Sequence, residues 1–415
     1  MNGCQSVNIN AERLLENIFE LGKIGRNEHD ELIRLAGSEE DKAGRDTVLQ
    51  WFKEAHLEVE VDKIGNIYGI WRDRAIHPNE DPLLIGSHID TVINAGIYDG
   101  SYGVLAGLEV IKTLQEMDFK PLRPIAVVAF TNEEGVRYAP DMMGSLVTVG
   151  GLPIEQALET VGIDDTVFGE ELEKIGYAGE REPGFLQPHA YLELHIEQGP
   201  ILERAGQTIG AVENLQGISW QKITIKGAAN HAGTTPMDMR QDAGQVASRI
   251  MSFLYDHVKQ NSSTVVTVGS IEFEPNLINV IPARATFTVD LRDPNEDILR
   301  EAEEALNEFV EDIARRENVT ITSEKLARFE PVKFSADIVQ AIEDAANNRQ
   351  LENHRMTSGA GHDAQMMARI CPTAMIFVPS KDGISHNPNE FTPKKDLIAG
   401  ANVLLDVVQK IAINE

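Results

Sequence analysis

Leu83-Leu84-Ile85-Gly86-Ser87-His88-Ile89-Asp90-Thr91 is an apolar run of strand length that ends in histidine and aspartate. Leu and Ile without polar alternation mark a strand buried on both faces. Residues 101–116 follow with helical spacing, and Ile125-Ala126-Val127-Val128-Ala129-Phe130 is a second buried strand. Strand, helix, strand in that order predicts an α/β sheet covered on both faces. Polar segments then fall at strand ends, where open α/β sheets commonly place their sites.

Working outward, residues 11–22 and 41–56 repeat apolar positions three and four apart, as amphipathic helices do. Two short strands, Leu57–Val61 and Asn66–Trp71, turn at Lys63-Ile64-Gly65-Asn66. Beyond residue 213 the rhythm becomes strand (Trp220–Ile225), helix (239–258), two strands (Thr264–Phe273 and Arg284–Asp290), helix (296–317) and strand (Val319–Ser323). That order is the split βαβ, ferredoxin-like arrangement, and it reads as an insertion. The chain resumes with a helix at 334–348, a strand and turn over Met356–Asp363, the strand Thr373–Val378 and a last helix at 396–412. The expected domains are 1–212 with 330–415, split by 213–329.

At 415 residues the chain exceeds the size at which one core stops growing, in keeping with two domains. Lys and Arg number 37 against 66 Asp and Glu, a net charge of −29. Such a field repels nucleic acid and anionic membranes, and an anionic substrate has to be drawn in by local cations. Cys4 and Cys371 are the only cysteines, too few for a disulfide framework or a thiolate zinc site, which fits a reducing cytoplasm. The N-terminus Met1-Asn2-Gly3-Cys4-Gln5-Ser6 lacks a basic start and an apolar stretch, so neither export nor anchoring is expected.

His88, Asp99, Glu134, His195 and His386 each lie in a short polar, glycine-containing segment after a strand-like run. Imidazole with carboxylate suits zinc, manganese, cobalt or nickel, and the set suggests a hydrolase with two divalent metal ions. A carboxylate can bridge two ions through its two oxygens whereas an imidazole cannot, which makes Asp99 the bridging candidate. Glu133 and Glu134 are consecutive and point in different directions. Glu134 is assigned to metal, and Glu133 is left free to take a proton from water and pass it to a leaving nitrogen. Asp90, two residues past His88, is expected to accept the second imidazole N–H. A lone loop histidine or a Glu-Glu pair ordinarily belongs to the solvated surface; the joint occurrence of these segments is what counts.

Gly86-Ser87-His88-Ile89-Asp90-Thr91, Tyr98-Asp99-Gly100, Phe130-Thr131-Asn132-Glu133-Glu134-Gly135, Glu193-Leu194-His195-Ile196-Glu197-Gln198-Gly199, Asn230-His231-Ala232-Gly233-Thr234-Thr235-Pro236 and Gly383-Ile384-Ser385-His386-Asn387 together resemble the hydantoinase/carbamoylase amidohydrolases. These belong to the dinuclear aminoacylase and carboxypeptidase clan, and the likeness covers nearly the whole chain. The resemblance implies an α/β, mixed-sheet metal domain with an inserted ferredoxin-like lid and dimerisation domain. It pairs His88, Asp99 and His195 around one ion, and Asp99, Glu134 and His386 around the other. It gives Glu133 the role of general base and implies a cis peptide after Asp99. It also implies that His231 enters the neighbouring subunit's site as an oxyanion donor, within a homodimer joined through residues 213–329.

Asn279 and Arg292 match positions that bind the substrate carboxylate in that family, although Arg292 with Asp290 or Asp293 also reads as a surface ion pair. Gln198, Gly359 and Ala360 resemble further substrate-binding wall. A small-molecule ureido carboxylate is the implied substrate, with N-carbamoyl-L-amino acids first and allantoate second. β-Ureidopropionase, aminoacylase or dipeptidase activity and a non-catalytic binding role follow. No Gly-x-Ser-x-Gly elbow or His-Glu-x-x-His helix is present.

Overall fold

Leu83–His88 is an inner strand of a mixed sheet in the computed structural model, which describes residues 7–260 and 263–413. Cys4 and the Met1–Ser6 stretch lie outside the described residues. The chain divides into two units, Met1–Glu213 with Lys333–Glu415, and Asn214–Val332.

In the first unit the strands run in the spatial order Glu58–Val61, Ile67–Trp71, Ile125–Phe130, Leu83–His88, Ala190–Ile196, Thr373–Val378 and Ile209–Leu215. Leu83–His88 pairs parallel with both neighbours, and Thr373–Val378 pairs parallel with Ala190–Ile196. Four strands therefore end on one edge, and His88, Glu133, Glu134, His195 and His386 lie at or beyond those ends. The four are buried along their whole length, as uninterrupted apolar runs require.

Helices Ser101–Glu116 and Lys394–Ala412 pack on this sheet and are buried on most of their surface. Ser101–Glu116 comes so close that a Cβ on Gly103 would lie 2.5 Å from the Leu194 carbonyl oxygen. Between residues 131 and 212, a stretch without an expected helix, the chain forms Met143–Thr148, Ile154–Leu158, Phe168–Ile175 and Ile201–Ala205. Three of them are too short to show a repeated apolar face, whereas Phe168–Ile175 does show one, burying Phe168, Leu172 and Ile175.

The second unit carries an antiparallel sheet in which Arg284–Asp293 lies between Gly217–Lys226 on one side and Val265–Thr267 and Ile271–Glu274 on the other. Thr320–Phe329 pairs the far edge of Gly217–Lys226. Along Arg284–Asp293 every second residue is buried, and Ala285, Phe287, Val289 and Leu291 face the helices Ala243–Val258 and Glu296–Arg316. Those helices bury Val246, Ile250 and Leu254, and Leu299, Ala302 and Leu306, one stripe each. Asp242 and Asn295 cap them by accepting amide hydrogens of the first turn. The expected strand Thr264–Phe273 is two strands, because Gly269 interrupts it and the Ser270 amide donates to the Thr288 hydroxyl at 3.1 Å. No helix among the described residues is long and apolar enough to cross a membrane.

Candidate metal centre

His88 is the last residue of its strand and is buried. Its Nδ1 lies 3.1 Å from the Asp90 carbonyl oxygen, so Nδ1 carries the proton. The lone pair on Nε2 then faces Asp99 Oδ1 at 3.6 Å and Glu133 Oε2 at 3.3 Å. His195 is arranged in the same way: Nδ1 meets the Ile196 carbonyl oxygen at 2.8 Å, and Nε2 lies 3.2 Å from Asp99 Oδ1. On the other side of that carboxylate, His386 Nε2 is 3.3 Å from Asp99 Oδ2 and 3.3 Å from Glu134 Oε2. One oxygen of Asp99 thus faces two imidazoles, while the other faces an imidazole and a carboxylate.

These atoms form two groups, His88 with Asp99 and His195, and Asp99 with Glu134 and His386. Glu134 Oε1 is buried without a hydrogen-bond partner, a costly state unless something else meets it. Converging nitrogen lone pairs, a two-sided carboxylate and an orphaned carboxylate oxygen fit two divalent cations. A third group, Glu193 with His195 and His362, is different. The Glu193 oxygens already accept from Ser87 Oγ at 2.7 Å, Tyr191 Oη at 3.2 Å and the Ala364 amide at 2.8 Å.

The turn carrying Asp99 departs from the expected cis geometry. The cis peptides among the described residues precede Pro140 and Pro275, so Asp99–Gly100 is trans. Gly100 sits at φ 61° and ψ −51°, and the Ser101 amide reaches the Asp99 carbonyl oxygen at 2.6 Å, a γ-turn that makes the reversal instead. The same turn aims the Gly100 amide at His195 Nε2, 3.1 Å away.

Asp90 also differs from expectation. Its main-chain carbonyl, not its carboxylate, is the nearer partner of His88 Nδ1; the carboxylate oxygen stands 3.7 Å off. The carboxylate instead accepts the Glu133 amide at 3.1 Å and the Glu134 amide at 3.2 Å, because the bend after the strand turns it towards the neighbouring strand's end. Asp90 therefore positions both glutamates.

Glu390 and Ser385 were not singled out by sequence. Glu390 accepts the amides of Tyr98 at 3.1 Å and Asp99 at 3.2 Å and the Ser385 hydroxyl at 3.0 Å. Ser385 Oγ lies 3.0 Å from Asp99 Oδ2. The available signal was an acid four residues beyond His386 in the same loop. Gln198, in the left-handed region at φ 57°, donates from Nε2 to Asp99 Oδ2 at 2.8 Å. Gly359 and Ala360 follow the strand Asn353–Ser358, where Ser358 Oγ accepts the Ala360 amide at 3.2 Å.

The second unit holds His231, Asn279 and Arg292. His231 is exposed, and its Nδ1 accepts the amides of Gly233 at 3.0 Å and Thr234 at 3.3 Å, which leaves the proton on Nε2. The Asn279 carbonyl accepts the Ala232 amide at 3.0 Å, joining the two loops. Arg292 is engaged by Asp290, with Nη2 to Oδ2 at 2.9 Å, the ion pair that the sequence spacing allows.

Burial and mutual repulsion shape the titration of the first unit's carboxylates. Glu133 is pushed well above the usual range by burial and by the nearby charges of Asp363, Glu134 and Asp99, against His88. Glu134 is raised to about 8 by burial and by Asp99. Burial also works against Asp99, but its bonded imidazoles hold it well below the ordinary value. His386 is raised to about 9, chiefly by its bond to Asp99.

Residues 84–410 match Peptidase family M20/M25/M40. The chain is 39% identical over 413 residues to the N-carbamoyl-L-amino acid amidohydrolase of Geobacillus stearothermophilus, covering 98% of this chain and 100% of that one. It is 36% identical over 361 residues to the allantoate amidohydrolase of Escherichia coli (strain K12), covering 86% and 87%. A crystal structure of a hydantoinase/carbamoylase family amidase from Burkholderia multivorans superposes with a TM-score of 0.93 at 41% identity, covering 99% of each chain.

Two outcomes follow from this geometry. Gly100→Ala places a Cβ about 2.4 Å from the His88 ring at a positive φ, so at least one equivalent of metal is expected to be lost, measured by elemental analysis. Full metal content would argue against His88 as a ligand. Burial and Asp99 favour a proton on Glu134, and the bond to Asp99 favours one on His386; a bound cation displaces both. Adding zinc or manganese to the apo-protein should release protons, and affinity should rise from about pH 6 to about pH 9. A flat profile would speak against these two ligands.

Proposed function

The chain belongs to Peptidase family M20/M25/M40, among its hydantoinase/carbamoylase amidases, and from that membership we propose that it hydrolyses the carbamoyl C–N bond of N-carbamoyl-L-amino acids, releasing ammonia and carbon dioxide. The observation that carries this reading is the two-sided Asp99 carboxylate with Glu133 beside it, one Glu133 oxygen 3.3 Å from His88 Nε2. His88, Asp99 and His195 are proposed to hold one divalent ion, and Asp99, Glu134 and His386 the other, with zinc, manganese, cobalt or nickel suited to these donors. Such ions supply a Lewis acid for the ureido carbonyl and lower the pKa of a water to about 7.

Glu133 takes the proton of the attacking water and delivers it to the departing nitrogen, which leaves as ammonia; the N-carboxy amino acid left behind then breaks its own N–C bond, giving carbon dioxide and the free amino acid. Burial favours its protonated form, so the proton is retained between the two transfers. Asp90 keeps Glu133 in place through its amide. His231, with its proton on Nε2, donates to the oxygen that gains negative charge, and Asn279 and Arg292 bind the substrate carboxylate. That carboxylate has to compete with Asp290 for the guanidinium.

A homodimer joined through residues 213–329 is part of the proposal. Met237, Met239, Leu277 and Ile278 leave large apolar surface exposed near His231, as an interface does. A reducing cytoplasm suits the free Cys371. Allantoate is the second reading, favoured by the likeness to the Escherichia coli allantoate amidohydrolase and by Ser358-Gly359-Ala360-Gly361-His362-Asp363-Ala364-Gln365.

Ammonia release from N-carbamoyl-L-amino acids, allantoate, ureidopropionate and acetylated amino acids, with manganese, zinc or cobalt added to the apo-protein, tests the reading. Activity confined to acetylated amino acids would overturn it. Glu133→Gln is expected to keep its metal and lose turnover by about 10²–10⁴-fold; a near-normal rate would remove Glu133 as the base. His231→Ala should slow turnover by about 10²–10³-fold. Mixing it with Glu133→Gln should restore activity once mixed dimers are shown to form, and no recovery there would count against sites shared between subunits.

A further inference from the structure

Beside Gln198, within the first unit, lies a cavity of about 320 Å³ walled by Pro200, Ile201, Met356, Phe377 and the Gly359–Ala360 backbone. It adjoins the metal centre, since Gln198 Nε2 donates to Asp99 Oδ2 at 2.8 Å and the Phe377 ring centroid is 6.4 Å from that of His195. Resting on the ureide reading above, we infer that this cavity receives the substrate's side chain and that the preferred substrates are N-carbamoyl amino acids with a sizeable apolar side chain.

Such a substrate has three parts, each with its own needs. The carbamoyl group belongs with Glu133 and the metal ligands. The carboxylate needs a cation, and the cavity offers none: its one ionisable wall residue is Glu197, an acid, whose oxygens accept the amides of Ile201 at 2.7 Å and Leu202 at 2.9 Å. Like charge would repel a carboxylate there. A second ureido group, as allantoate carries, would bring several donors and a carbonyl to a wall whose neutral polar side chains are Thr357 and Gln198. Each of those groups has to find a partner there or bear the cost that burial without a hydrogen bond entails. An apolar side chain has no such requirement.

The wall is also shaped for a side chain. A Cβ on Gly210 would lie 2.5 Å from the Met356 sulfur, so glycine at that position lets the thioether form the wall. Met adapts to differently shaped partners. Ile201 is 50% exposed, a large apolar group that a bound side chain would cover.

The test is a substrate series on the metal-loaded enzyme. kcat/KM for N-carbamoyl-L-methionine and N-carbamoyl-L-phenylalanine should exceed that for N-carbamoylglycine and for allantoate by about tenfold or more. Ile201→Glu and Met356→Ala should each lower the methionine-to-glycine ratio by about fivefold or more, mainly through KM. Met356 is buried and its loss burdens folding, so the half-exposed Ile201 gives the decisive reading. If the wild type cleaves no ureide, the functional reading falls and this inference with it. If ureides are cleaved but glycine and methionine compounds are equivalent, allantoate is preferred, or Ile201→Glu leaves the ratio unchanged, the cavity assignment alone is overturned.

Discussion

The Asp99 carboxylate is held between imidazoles, with His88 and His195 towards one oxygen and His386 towards the other. A carboxylate in that position must not twist, since an intermediate angle would take both oxygens away from the imidazoles they face. The fold meets that requirement from several directions. Glu390 takes the Tyr98 and Asp99 amides, Gln198 and Ser385 occupy the Oδ2 side, and the γ-turn at Gly100 fixes where the chain leaves. Gly96 has no side chain because a Cβ there would lie 2.2 Å from Glu390 Oε1. The loop is thus clamped to another loop almost three hundred residues away in sequence.

Buried acids surround this carboxylate. Asp90, Asp99, Glu133, Glu193, Asp363 and Glu390 are all removed from solvent; burial raises the pKa values of all but Asp99, and repulsion between neighbouring acids adds to it at Asp90, Glu133, Asp363 and Glu390. Such an arrangement is unfavourable unless cations complete it. Part of the compensation is Arg34, fully buried, which donates to the carbonyls of Ile89, Leu21 and Ile24 and to Ser101 Oγ. It steadies the chain on both sides of the His88-to-Asp99 loop and brings positive charge near Asp90. The larger share is left to the cations that the converging lone pairs fit.

Strands buried on both faces were legible because a short, uninterrupted apolar run, such as residues 83–86 or Ile125–Phe130, has no polar side to turn towards water and must be covered from above and below. The residues after those runs then stood out as candidate ligands. The helices Met143–Thr148 and Ile154–Leu158 were not legible, having no second turn to repeat a pattern, while Phe168–Ile175 carries a readable spacing, Phe168, Leu172 and Ile175, that was passed over. Asp90 was recognised as the partner of His88, but its carbonyl rather than its carboxylate is the nearer group, because the bend after His88 turns the carboxylate towards the Glu133 and Glu134 amides. Glu390 looked like one acid among many, and only the folded loop brings it to the Asp99 amide. Which ligands share an ion came from family resemblance; spacing along the chain does not carry it.

The imidazole of His195 bears on how an acidic protein admits an anion. The chain carries a net charge of −29, so the long-range field opposes a substrate carboxylate. At the centre the imidazole of His195 brings no negative charge, whereas a carboxylate at that position would add one to the buried acids already gathered there. An N-carbamoyl amino acid brings one further negative charge. A carboxylate in place of His195 would therefore repel the substrate's own carboxylate. In a buried site, one charge outweighs the screened surface field, because attraction at a few ångströms in low dielectric is several times stronger than the same pair in water. A neutral ligand at residue 195 thereby favours substrates that carry their own carboxylate close to the bond being cut.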